Sequence, residues 1–183
     1  MDSEADDLYE AALKTPNNSV ILEIGSHRGS SAYALALASK IHPIIIYCVD
    51  TWMGSPGGLG EWGPNRGVTS FGSALRSFTL NLHSFIESGI VIPLEMSSAG
   101  AYMVEPPITP NLIFIDGSHI YEDVLFDVTY WWSRLGKGGV MAIHDCTGDE
   151  DFHPQVRRAV DYHCMKEHIT GCLQQSIMWL NKP

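Results

Sequence analysis

The chain has 183 residues, 45% of them hydrophobic, which suits one domain with a sizeable core (1–183) and leaves little for a second. With 11 Lys and Arg against 21 Asp and Glu the formal net charge is −10, which a phosphate backbone repels unless basic residues cluster. None do: Arg157-Arg158, Arg28, Arg66 and Arg76 are too sparse for a nucleic-acid groove. Cys48, Cys146, Cys164 and Cys172 show no CxxC spacing, the acidic start lacks the regions of a signal peptide, and no apolar run approaches the ~20 residues of a bilayer span. The expectation is a soluble chain with reduced thiols in a cytoplasm, and no membrane or nucleic-acid partner.

Short apolar runs rich in β-branched residues alternate with segments of helical period, the pattern of parallel strands joined by crossover helices. A first helix, roughly Glu4 to Leu13, ends before Pro16-Asn17-Asn18, and Val20 to Ile24 reads as a strand buried on both faces that stops at Gly25. A helix from about Ser30 to Lys40, with Ala32, Leu35 and Ala36 at core spacing, leads to a second strand, Ile44 to Val49, which runs into Asp50. From Thr51 to about Ser70 the chain is crowded with Gly, Pro and Ser, with Trp52, Trp62, Asn65 and Arg66 interspersed. A stretch of that length without periodicity is a lid or binding loop, or a plain insertion; its tryptophans favour the first.

A helix near Phe71 to Leu82, a strand Ile90 to Leu94 and a short helix after Ser97 follow, then a buried strand Asn111 to Ile115 ending at Asp116. The next helix aligns Tyr121, Val124, Leu125, Val128, Trp132 and Leu135 on one face and closes at Gly136 to Gly139. A strand Val140 to Ile143 runs into His144-Asp145, a last helix starts near Pro154, and Gln175 to Leu180 is the final strand. The fold class is α/β: a doubly wound, mostly parallel, Rossmann-like sheet of seven strands with helices on both faces. Trp131, Trp132 and the apolar final strand offer a homodimer face; burial in the core is the duller alternative for at least one of the tryptophans. His153 and His163 read as ordinary surface histidines.

Ligands of open parallel sheets bind outside the carboxyl ends of the strands, where strand order reverses. Glu23, Asp50, Asp116 and Asp145 all fall at or just past strand ends, with His144 beside the last. Any one such acid can simply cap a turn; four together point to a site. The loop Gly25-Ser26-His27-Arg28-Gly29-Ser30-Ser31 is neither GxGxxG nor a P-loop. Its looser spacing suits a nucleoside ligand without phosphates, and Asp50, about two dozen residues on, is placed for ribose hydroxyls.

Taken in order, Val20-Ile21-Leu22-Glu23-Ile24-Gly25-Ser26-x-x-Gly29-x-Ser31, Val49-Asp50-Thr51-Trp52, Ile113-Phe114-Ile115-Asp116-Gly117-Ser118-His119-x-Tyr121, Leu135-Gly136-x-Gly138-Gly139 and His144-Asp145 resemble class I S-adenosylmethionine-dependent methyltransferases. Among them the chain is similar to the small-molecule O-methyltransferase branch that includes the macrocin and mycinamicin sugar methyltransferases. The resemblance runs from about Val20 to Val160. It implies that Glu23, Gly25, Ser26, Gly29 and Ser31 hold the methionine end of S-adenosylmethionine, that Asp50 binds the ribose, and that Trp52 packs on the adenine or on substrate. Ser97 and Ser98 match the position that meets adenine, with a helix N-cap as the alternative.

In metal-dependent members of that branch an acid at the Asp116 position and an acidic pair at the 144–145 positions bind a divalent cation, which lowers the pKa of a substrate hydroxyl. Here His144 replaces the first acid of the pair. Magnesium or manganese is the cofactor implied; with an imidazole among the ligands Asp116, His144 and Asp145, iron or zinc also enter. His119 stands where the sugar methyltransferases carry the general base, or is a helix-start histidine with a structural bond. The implied reaction is methyl transfer to a hydroxyl of a sugar or polyol, with Asp116, His119 and Asp145 as its catalytic residues and residues 53–70 as a lid. Rival readings are a nucleotide-dependent oxidoreductase on a similar sheet and an S-adenosylmethionine-binding protein that does not methylate.

Overall fold

The structure is a computed structural model, and it describes residues 3–54, 71–147 and 153–183. The chain runs α1 (Ser3–Leu13), β1 (Ser19–Ile24), α2 (Ser30–Leu37, extended by a 3-10 turn Ala38–Lys40), β2 (Ile44–Asp50), α3 (Phe71–Asn81), α4 (His83–Glu87), β3 (Val91–Glu95), α5 (Ser98–Tyr102), β4 (Leu112–Ile115), α6 (Tyr121–Arg134), β5 (Val140–Ile143), α7 (Pro154–Glu167), β6 (Cys172–Gln174) and β7 (Ile177–Asn181). The strands form one seven-stranded sheet in the order β3-β2-β1-β4-β5-β7-β6. β1 to β5 pair in parallel, and β7 runs antiparallel to both β5 and β6, so six of the seven strands point the same way.

Because successive side chains of a strand face opposite ways, each buried strand feeds two cores. Ile21, Phe114, Ala142 and Ile177 face one layer, packed with Leu8 and Ala12 of α1, Leu35 of α2, Phe78 of α3 and Phe85 of α4. Leu22, Ile113, Met141 and Met178 face the other, with Ala101 of α5, Val128 and Trp131 of α6, and Val160 of α7. The doubly wound, mostly parallel sheet with helices on both faces is thus as the sequence predicts. Two short elements escape the sequence reading: the five-residue α4, and β6, whose three residues are all exposed.

Three expectations are corrected. Trp131 and Trp132 are both buried within the chain, and β7 lies inside the sheet between two strands, so the face suggested for a subunit contact is consumed by the protein's own core. His163 is buried against the edge of the Trp132 ring, with centroids 5.4 Å apart, and burial lowers its pKa. His153 is likewise no bystander, as described below. The suggested lid, 53–70, with Trp62, Asn65 and Arg66, lies outside the described residues except at Met53 and Gly54.

The C-terminal end of α6 is closed from afar. Lys182, just past β7, donates through Nζ to the carbonyls of Trp132 at 2.5 Å, Leu135 at 2.8 Å and Ser133 at 3.4 Å, where the helix leaves its last carbonyls unpaired and its dipole is negative. Lys182→Ala should therefore cost about 1–2 kcal/mol. A thermal unfolding midpoint unchanged from wild type would show that water replaces the ammonium without loss.

No helix among the described residues is long and apolar enough to cross a membrane.

Candidate active site

Strand order reverses between β1 and β4, and the loops leaving their carboxyl ends touch. Gly25 follows β1 with φ +90, and a Cβ built there would lie 2.1 Å from the Asp116 carbonyl oxygen after β4. Backbone bonds tie the same corner: Gly25 N–H to the Val49 carbonyl, Asp116 N–H to that of Ile24, and His144 N–H to that of Ile115. The loops after β1, β2, β4 and β5 are thereby fixed relative to one another.

The β1 side carries the residues expected to hold the cofactor. Glu23 is fully buried on β1; its Oε1 accepts from Ser31 Oγ at 2.5 Å, while its Oε2 and the Ser26 hydroxyl are buried without partners. Burial raises the Glu23 carboxyl to about 7, opposed by the neighbouring polar groups of Ser26, Ser31 and Cys48 and reinforced by the charge of Asp116. Gly29 caps α2 in the left-handed region, and a Cβ there would meet Leu82 at 2.7 Å.

Asp50 receives two backbone N–H groups, from His27 at 2.8 Å and from Trp52 at 2.7 Å, one on each oxygen. It pins the loops after β1 and β2 together, and each oxygen keeps lone-pair capacity for a hydroxyl. Trp52 departs from the expectation of a ring face for adenine or substrate. It is buried, gives its indole N–H to the His27 carbonyl at 2.7 Å, and packs edge-on against Phe78 at 5.1 Å. Its ring is engaged with the core because the backbone at Trp52, φ +49, turns the side chain back under the loop.

Ser97 caps α5, its hydroxyl accepting from Gly100 N–H at 3.1 Å, which is the N-cap alternative. Ser98 donates to the buried carboxylate of Asp127 and accepts from Trp131 Nε1 at 2.8 Å, so its side chain fastens α5 to α6. Ser97 keeps its hydroxyl proton for a ligand, whereas the Ser98 hydroxyl both donates and accepts within the protein.

On the β4–β5 side, Asp116, His119, His144 and Asp145 converge around a shallow cleft floored by Ile115 and Ile143. His119 Nε2 lies 2.6 Å from Asp145 Oδ2. His144 Nδ1 lies 3.3 Å from Asp116 Oδ1 and 3.2 Å from Asp145 Oδ1. Burial works against the charged His144 ring, but the two carboxylates outweigh it and raise its pKa to about 11. Burial would likewise raise Asp145, yet His119 and His144 hold it well below the ordinary carboxylate range. Asp145 sits at φ +55, a strained conformation for a non-glycine residue of the kind that concentrates at functional sites.

Sequence reasoning missed two members. His153, the αL residue before α7, stacks on His119 with ring centroids 3.8 Å apart, and His119, Asp145 and His153 could share an ion. Glu4 of α1 reaches His144 Nε2 at 3.2 Å. Nothing local in the sequence marks either one, because each is brought in by tertiary packing.

Comparison with known proteins agrees with this architecture. Similar folds include the calicheamicin methyltransferase CalS11 (TM-score 0.68, 17% identity, 98% of this chain and 77% of that one). The O-methyltransferase of Bacillus cereus in complex with SAH gives a TM-score of 0.69 at 14% identity over 100% of this chain and 82% of that one. A curated relative, the uncharacterized protein y4gI of Sinorhizobium fredii (strain NBRC 101917 / NGR234), is 29% identical over 129 residues, 68% of this chain but only 13% of that protein's length. The sheet therefore defines a class I methyltransferase fold. Residues 22–146 match the family model described as a methyltransferase domain, and the chain belongs to that family.

Proposed function

We propose that the chain, acting as a single domain in a reducing cytoplasm, transfers the methyl group of S-adenosylmethionine to a hydroxyl of a small molecule, a sugar or another polyol, with help from a divalent cation. The observation that carries this reading is the junction at Gly25 and Asp116, which sets a buried, under-bonded cofactor loop against a cluster of two carboxylates and two imidazoles. The 3'-O-methyltransferase of TDP-rhamnose, CalS11, shares the fold, which favours a sugar acceptor. The net charge of −10 argues against nucleic acid.

The residues present suit both groups. Glu23 Oε2 and Ser26 Oγ are buried polar atoms without partners, as an ammonium-bearing ligand would require, and Asp50 keeps acceptor capacity for ribose hydroxyls. Asp116, His144 and Asp145 each offer one ligand atom within 4.8 Å of the others. His144 Nδ1, buried, has neither carboxylate in hydrogen-bond geometry despite separations of 3.2 and 3.3 Å. Two oxygens and a nitrogen suit manganese, iron or zinc better than magnesium.

When bound, the cofactor supplies an electrophilic methyl and the cation a Lewis acid that acidifies the acceptor hydroxyl. Asp145, ionised, only accepts hydrogen bonds, so His119 Nε2 must be the protonated nitrogen. The lone pair is then on His119 Nδ1, which takes the proton of the acceptor hydroxyl, while Asp145 fixes the ring and stabilises the imidazolium formed. Fixed loops hold donor and acceptor sites in register, and proximity contributes much of the rate.

Calorimetric titration with S-adenosylmethionine and S-adenosylhomocysteine, with and without manganese, tests the reading. Wild type should bind at micromolar concentration. Asp50→Ala, which removes the ribose acceptor and the pin on His27 and Trp52 together, should weaken binding at least roughly tenfold. No binding by wild type would sink the proposal. Binding without transfer to any hydroxylated acceptor would turn it into a non-methylating cofactor protein.

A further inference from the structure

We infer that Glu4, on the N-terminal helix, is a positioning residue for His144: with Ser176 it holds the Nε2 edge of the imidazole so that Nδ1 is the atom presented between Asp116 and Asp145. The inference deepens the metal reading above and rests on it for its consequence.

The two edges of the His144 ring face different partners. Nδ1 faces the two site carboxylates, and Nε2 faces Glu4 Oε2 at 3.2 Å and Ser176 Oγ at 3.1 Å. Ser176 in turn donates to Glu4 Oε1, so carboxylate and hydroxyl act as one unit. A carboxylate only accepts, so a proton on Nε2 satisfies Glu4 and leaves Nδ1 as the nitrogen with a free lone pair.

The need for such a partner follows from the shape of the ring. The χ2 torsion of a histidine is broad and roughly two-fold, so a half-turn exchanges Nδ1 with a carbon at almost no steric cost. Apolar packing, here the edge of Phe114 at 6.2 Å, cannot tell the two orientations apart. A carboxylate on the far edge can, and ligand histidines owe their orientation to such a bond.

Glu4 is itself held in place. One turn further along α1, Asp7 receives Gln174 Nε2 and Gln175 Nε2, both at 2.9 Å, and Leu8 and Ala12 are buried in the core. Positions three apart share a helix face, so the docking of α1 on the β6–β7 turn delivers Glu4 to His144.

Manganese affinity, read by the electron paramagnetic resonance of free ion, tests the inference in Glu4→Ala, Glu4→Gln and Asp7→Ala. Glu4→Ala should lose affinity ten- to a hundred-fold. Glu4→Gln, which keeps an acceptor for Nε2–H, should stay within about threefold of wild type, and Asp7→Ala, which loosens the helix but leaves Glu4 and the buried Leu8 and Ala12 in place, should fall between the two. Unchanged affinity in Glu4→Ala, or equal losses in Glu4→Ala and Asp7→Ala, overturns the idea.

A second readout needs no metal: the low-field proton resonance of His144 Nε2–H in the metal-free protein. It should persist in Glu4→Gln and vanish in Glu4→Ala; persistence in Glu4→Ala overturns the inference. If wild type binds no manganese while the resonance still depends on Glu4, the metal reading falls and the positioning of His144 stands.

Discussion

Glu23→Gln should make the cofactor-free protein more stable at pH 8 and at the same time weaken its hold on S-adenosylhomocysteine. The carboxyl ionises at about 7 when folded against an ordinary 4.5, because it is fully buried on β1. The folded state therefore binds this proton more tightly than the unfolded one. The favourable contribution is complete below pH 4.5 and is lost as pH rises towards 7. At 1.36 kcal/mol per pH unit the loss is about 3 kcal/mol.

A glutamine avoids that loss. Its oxygen still accepts from Ser31, and its amide has no charge to desolvate. The unfolding midpoint at pH 8 should rise by roughly 5–10 °C, with little difference between the proteins at pH 4. The same exchange removes the charge proposed to meet the ammonium of the cofactor, which should weaken binding roughly ten- to a hundred-fold. A stability difference that is the same at both pH values would mean that Glu23 is not held protonated by burial. Undiminished affinity would mean that the ammonium lies elsewhere.

Gly25→Ala should be the most damaging of the glycine substitutions in the site. The new methyl would meet backbone rather than a movable side chain: Asp116 O at 2.1 Å, Asp116 C at 2.5 Å and Gly117 Cα at 2.7 Å, at a φ of +90. Relief requires separating the loops after β1 and β4, and with them the bonds that set both halves of the site. The expected cost exceeds about 3 kcal/mol, with loss of soluble protein or a midpoint lowered by roughly 6 °C or more.

Gly89→Ala is the comparison. At φ +73, with nothing within 4 Å of the added carbon, it carries the conformational penalty alone, about 1–2 kcal/mol. Equal damage in the two variants would mean that the β1 and β4 loops are not in contact.

The buried strands were legible because Val20 to Ile24, Ile44 to Val49 and Ile113 to Ile115 are short apolar runs, interrupted only by Glu23 and ending at a glycine or acid, a pattern that suits a sheet buried on both faces. The acids after them were legible because the sheet fixes where ligands go. The short α4 has no room to show a period, and β6 is exposed at every residue and carries no alternation. Trp52 looked like a binding ring because composition cannot reveal that a positive φ tucks it into the core. His153 and Glu4 were invisible for the opposite reason: their chemistry is ordinary, and only packing brings Glu4 to a histidine 140 positions away.

The antiparallel β7 bears on how the protein is made. The last strand of this sheet in chain order is inserted between β5 and β6, and among the described residues β6 pairs with β7 alone. While the chain emerges from the ribosome, β1 to β5 can assemble in order of appearance, but the far edge of β5 has no partner until residues 177–181 are out. Completion of the sheet is then the docking of a short, locally formed hairpin against one waiting edge. Until that moment the nascent protein exposes the unpaired N–H and C=O groups along Val140 to Ile143, the kind of edge that invites pairing with other chains or a chaperone.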